Sequence, residues 1–142
     1  MIECMILGDS IAVGTQMFYK ECELYGKGGI NTWQWNRMYP SLAQDAKTAV
    51  ISLGTNDHAG VNTRKELETV RDKVKAERVF WILPYGNLPA GGVPISKIQE
   101  IVREVAALRG DTVVAVESVS PDRIHPSWDG YGRIVDRVKS SK

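Results

Sequence analysis

The first fourteen residues, MIECMILGDSIAVG (1–14), decide how the chain is read. An apolar run, Met5-Ile6-Leu7, stops on Gly8-Asp9-Ser10 before a second apolar pattern begins at Ile11. A short run without polar alternation fits a strand covered on both faces. Asp and Ser are favoured helix N-caps, because their side-chain oxygens satisfy a free backbone N–H. A strand that passes into a helix in this way is the repeating unit of an α/β fold. Ser10 is then either a cap alone or a nucleophile held at a helix N-terminus, and the rest of the chain must decide between them.

The same alternation recurs downstream. Apolar, β-prone runs lie at 2–7, 48–53, 78–83 and 112–117, with a weaker one at 21–25. Between them, residues 63–75 place Leu67, Val70 and Val74 on one helical face, and Thr63-Arg64-Lys65-Glu66 has the form of a capping box. Residues 95–108 repeat the pattern with Ile95, Ile98, Ile101, Val102, Val105 and Leu108, and Gly110 follows as a terminator. Further helices are expected after Ser10, over 32–46 despite Pro40, and from Trp128 to Val138. The expectation is a three-layer α/β/α sandwich around a five-stranded, mostly parallel sheet in flavodoxin-like order, formed by residues 1–142 as a single domain. Trp33, Trp35 and Trp81 are expected to pack between helix and sheet.

Eighteen basic and seventeen acidic residues leave a formal charge of +1, which gives no reason to expect a nucleic-acid partner or a polybasic membrane contact. No apolar run approaches the ~20 residues of a membrane span, and the N-terminus lacks the pattern of a secretory signal, so a cytoplasmic location is expected. Cys4 and Cys22 form no CxxC pair or Cys/His cluster, and are expected to be small buried hydrophobes. Neither a metal nor a cofactor is implied.

In open α/β sheets, ligands sit beyond the carboxyl ends of the strands. That rule selects Gly8-Asp9-Ser10, Gly28-Gly29-Ile30-Asn31, Gly54-Thr55-Asn56-Asp57 and the loop Pro121-Asp122-Arg123-Ile124-His125-Pro126. A serine hydroxyl becomes a nucleophile only when a base takes its proton and a third group fixes the base. Asp122 and His125 stand three apart, close enough for the carboxylate to reach the far ring nitrogen, and Pro126 restricts the backbone of His125. The candidate catalytic residues are therefore Ser10, His125 and Asp122. Donors for an oxyanion are the backbone N–H groups of Ser10 and Gly29 and the side-chain amide of Asn56. Asp9 and Asp57 are read as structural acceptors for loop N–H groups.

Taken together, GDS, GGINT, GTND and the DxxH of the last loop resemble the four motifs of the SGNH hydrolases, the GDSL esterase and lipase superfamily. The resemblance spans residues 8 to 126 and implies a flavodoxin-like sandwich and metal-free ester hydrolysis through an acyl-enzyme. Gly28 competes with Gly29 for the oxyanion role; Gly29-Ile30-Asn31-Thr32 is the better match to the family's Gly-x-x-Thr/Ser pattern. Arg123 departs from the family, which commonly carries glycine there. Asn31, His58, Asn87, Arg123 and Trp128 are candidate substrate contacts, to a polar alcohol portion such as a sugar. The irregular segment 84–94 offers few large apolar side chains, which favours short acyl groups over lipids. The expected partner is thus a small-molecule or carbohydrate ester, with no nucleic acid and no membrane span. The alternative from another class is a non-catalytic SGNH-fold module, for example in a phage particle.

Overall fold

The structure, a computed structural model, describes residues 1–86 and 92–141. Five strands, β1 (Ile2–Gly8), β2 (Glu23–Gly26), β3 (Ala46–Ser52), β4 (Ala76–Ile82) and β5 (Thr112–Val114), form one sheet in the order β2-β1-β3-β4-β5. Every pairing is parallel. Five helices alternate with them: α1 (Ser10–Phe18), α2 (Thr32–Met38), α3 (Thr63–Lys73), α4 (Ile95–Arg109) and α5 (Trp128–Ser140).

The unbroken apolar runs follow from burial on both faces. Successive strand residues point to opposite sides. Thus Met5 and Leu7 of β1 join Ala49, Ile51 and Trp81 in a core closed by Trp35, Leu67, Ile98 and Val102 of α2, α3 and α4. Cys4 and Ile6 join Val50, Phe80 and Ile82 in a second core closed by Ile11, Tyr131, Ile134 and Val138 of α1 and α5. Each fully buried side chain of this size contributes roughly 1.5–3 kcal/mol.

Several details differ from the sequence reading. Leu108, expected on the apolar face of α4, is 76% exposed in its last turn. Cys4 and Cys22 are both buried but are joined in a disulfide, because the parallel pairing of β1 with β2 brings the two strand starts together. Helix α2 ends at Met38, well short of 46: the Tyr39 N–H still bonds the Trp35 carbonyl, and Pro40 carries no N–H to continue the ladder. Trp35 and Trp81 are fully buried as expected, but Trp33 is 49% exposed, on the outer face of the shortened helix beneath the Arg37 guanidinium. Helix α3 is capped by Asn62, whose side chain accepts the Lys65 N–H, while Thr63 lies inside the first turn and turns its hydroxyl to Asp57. The last strand also stops at Val114 instead of 117.

Candidate active site

Gly8 ends β1 opposite Ser52 of β3. A Cβ there would overlap the Ser52 carbonyl, and φ is 143°, outside the range of ordinary side chains. The chain then turns through Asp9, whose N–H bonds the same Ser52 carbonyl at 3.0 Å and whose carboxylate accepts the Ile11 N–H at 3.0 Å as the N-cap of α1. Asp9 is thus the cap, and Ser10 is the first residue of the helix.

Ser10 and His125 are 115 residues apart in sequence, yet Ser10 Oγ lies 2.7 Å from His125 Nε2. On the other side of the ring, His125 Nδ1 lies 2.7 Å from Asp122 Oδ2. With the Nδ1 proton directed at Asp122, Nε2 is left to accept from the serine hydroxyl. The ring is steadied by the loop that carries it. Val119 and Pro126 form an isolated antiparallel bridge, the Ser120 N–H bonds the His125 carbonyl, and the Ser127 N–H bonds the Ser118 carbonyl.

Asp122 Oδ1 accepts from Ser120 Oγ at 2.7 Å and from the N–H groups of Ile124 and His125 at 2.9 and 3.0 Å. The Ser120 hydroxyl, these two N–H groups and the imidazole hold its carboxyl well below the usual carboxylate range, which favours the anionic form of Asp122. The sequence reading overlooked Ser120; its place two residues before Asp122, where a hydroxyl can close a local turn, was the available signal.

Of the candidate oxyanion donors, the Ser10 N–H opens α1, where the first-turn donors have no partner within the helix. Asn56 donates from Nδ2 to the Ile30 carbonyl at 3.0 Å, which ties the loop after β3 to the Gly28-Gly29-Ile30 turn and leaves a second amide hydrogen. Gly29 adopts φ 80° with open space where a Cβ would point, whereas a Cβ on Gly28 would sit 3.8 Å from Ser10 Cβ. Beneath these loops Asp57 is a three-way acceptor, taking the Thr32 N–H and the hydroxyls of Thr32 and Thr63 at 2.7–2.9 Å. Burial pushes its carboxyl up, against these bonds.

The candidate substrate contacts do not gather in one place. Asn31 spends its side chain on the capping box of α2, with Gln34 as reciprocal partner. His58 accepts the Gly60 N–H in its own turn. Trp128 is 83% exposed and rims a hollow of about 600 Å³ with Met17 and Phe18 at the end of α1. Arg123 borders an open cavity of about 440 Å³ that also touches Asp122. Asn87 and Leu88 lie outside the described residues.

No family model and no curated protein matches the chain. Solved structures do. The C-terminal catalytic domain of Streptococcus pneumoniae peptidoglycan O-acetyltransferase A, determined with a methylsulfonyl adduct, is 18% identical; the match covers 99% of this chain and 92% of that one at a TM-score of 0.61. An acetylxylan esterase of Geobacillus stearothermophilus is 14% identical, with 99% and 95% covered at 0.63. A GDSL-like lipase of Parabacteroides merdae is 12% identical, with 98% and 94% covered at 0.71. The chain has the fold of these GDSL-type hydrolases, the fold that its four motifs implied.

Proposed function

We propose that this chain, with the fold of the SGNH hydrolases, is a serine esterase that cleaves short-chain acyl esters through an acyl-enzyme, acetyl groups on carbohydrate being the favoured class. The observation that carries the reading is the row Asp122, His125, Ser10, with 2.7 Å at each of its two side-chain links.

In the first step Ser10 Oγ bonds to the ester carbonyl carbon as its proton passes to His125 Nε2. The carbonyl oxygen becomes an oxyanion, for which the Ser10 and Gly29 N–H groups and the second Asn56 amide hydrogen are the proposed donors. Asp122, held anionic by its own loop, stabilises the imidazolium that forms. The carbon–oxygen bond to the alcohol then breaks, and the alcohol leaves with the proton from Nε2. Water attacks the acyl-serine with His125 again as base, releasing the acid and restoring Ser10.

The acetyl preference is supported by the names of two structural neighbours, an acetylxylan esterase and a peptidoglycan O-acetyltransferase. A second alcohol in place of water would make the same intermediate a transfer reaction. The test is a fluorophosphonate probe together with p-nitrophenyl esters from acetate to octanoate. Labelling of Ser10, and a kcat/KM that falls as the acyl chain lengthens, are expected. A folded protein that is neither labelled nor active on acetate would instead be a non-catalytic module on this fold. A maximum at octanoate would overturn the short-acyl preference.

A further inference from the structure

Arg123 is the one residue other than glycine, among those described, whose backbone lies in the left-handed region, at φ 60°. An ordinary side chain there costs roughly 1–2 kcal/mol, a cost that glycine would avoid. The side chain that incurs it borders the cavity of about 440 Å³ between the chain after β4 and the loop that carries Asp122 and His125. The two walls are fitted to each other at Gly86, where a Cβ would overlap the Arg123 carbonyl and the Ile124 backbone.

Two of the lining residues are charged, Asp122 and Arg123. Both oxygens of Asp122 are taken by donors of its own loop: Ser120, Ile124 and the His125 N–H at Oδ1, and the imidazole at Oδ2. Arg123 is exposed and enters no ion pair among the described residues. Tyr85 adds a neutral hydroxyl, and Ile95 and Ile124 add apolar wall. A planar guanidinium beside apolar wall suits a carboxylate, which it can grip through two parallel hydrogen bonds.

We propose that this cavity is an anion subsite in which Arg123 binds a carboxylate on the alcohol portion of the ester, so that the preferred substrates are acyl esters of hydroxy acids, acidic sugars among them. The assignment rests on the esterase reading and on the cavity's sharing Asp122 with the proposed catalytic row. Arg123 acts on substrate choice and takes no part in moving the proton.

The test compares 4-carboxyphenyl acetate with its neutral analogue 4-carbamoylphenyl acetate, in the wild type and in Arg123→Gly, Arg123→Lys and Arg123→Glu. The readout is the ratio of kcat/KM for the two esters. Arg123→Gly, which relieves the backbone and should fold, is expected to lower that ratio about ten-fold, chiefly through KM of the anionic ester. Arg123→Lys should retain part of the preference, and Arg123→Glu should lower the ratio further. In the wild type the preference should shrink between about 0.01 and 1 M salt, as the screening length falls from roughly 30 to 3 Å. A ratio that is the same in all four proteins overturns the subsite and leaves the esterase standing. Binding of the product 4-hydroxybenzoate against 4-hydroxybenzamide, followed by chemical-shift titration in Ser10→Ala with and without Arg123→Gly, reads the subsite without turnover. Equal affinities there overturn it even if the protein hydrolyses nothing.

Discussion

Asp9 lies next to Ser10, the proposed nucleophile, yet belongs to the folding of the site more than to its chemistry. It is completely buried, its Oδ1 is spent on the Ile11 N–H and the Ser52 hydroxyl, and its Oδ2 has no partner among the described residues. Burial pushes its carboxyl up to about 7 against these hydrogen bonds. The folded chain therefore holds a proton there that the unfolded chain releases near pH 4, so this contribution to stability is full below that pH and is lost as pH rises to about 7. The shift corresponds to about 4 kcal/mol at 1.4 kcal/mol per unit. Asp9→Asn keeps the accepting oxygen and cannot ionise; urea unfolding should find it more stable than the wild type at pH 8 and little changed at pH 4. Within the catalytic row, Ser10→Ala and His125→Ala should each abolish nearly all turnover of p-nitrophenyl acetate, with no further loss when combined. Asn56→Ala should cost on the order of 10²–10³ in kcat, since it removes one oxyanion donor and the tie to Ile30. Full activity in that variant would remove Asn56 from the site.

At the scale of elements, α2 is the helix whose length the sequence misjudged, and beside Pro40 the reason is a polar cluster that no periodicity reveals. Asn36, near its end, is buried and donates to the Glu66 carbonyl and carboxylate of α3, while the Lys73 ammonium bonds Asn36 Oδ1 and the carbonyls of Asn36 and Tyr39. Lys73 so takes up carbonyls that a continuing helix would have used. Asn36→Ala removes a donor from the buried Glu66 carboxylate and an acceptor from half-buried Lys73, and denaturant titration should show a loss of about 2 kcal/mol with the Ser10, His125, Asp122 row intact. The rest of the architecture was legible because each strand is covered on both faces and each long helix buries a stripe, as Leu67 and Val70 or Ile98 and Val102 do. The row Ser10, His125, Asp122 was legible because every member stands at a strand's end or in one short loop. Contacts made by side chains free to choose among partners were not: Asn31 went to a helix cap and His58 to its own turn, and nothing in the residue type separates those uses from ligand binding. The cysteine pairing was hidden for another reason, since it depends on which strands become neighbours and their register.

Across the whole molecule, the disulfide between Cys4 and Cys22 closes a covalent loop around α1, the helix that presents Ser10. A loop of this length restricts the unfolded chain by about 3 kcal/mol. Reduction should therefore lower the melting temperature by roughly 10 °C. The unreduced protein should show no free thiol when unfolded in the presence of a thiol reagent. The two halves of the catalytic row also differ in how far the chain must travel to make them. Asp122 and His125 meet within a loop closed by contacts between residues 118 and 127, the kind of event that takes microseconds in small hairpins. Ser10 reaches His125 across 115 residues, and only once parallel strands far apart in sequence have been laid side by side, the slow part of any such topology. If Ser10 reacts with a fluorophosphonate as proposed, that reactivity is a clock for the last stage of assembly: the Asp122–His125 half is ready early, and Ser10 joins it only when the sheet that delivers it has closed.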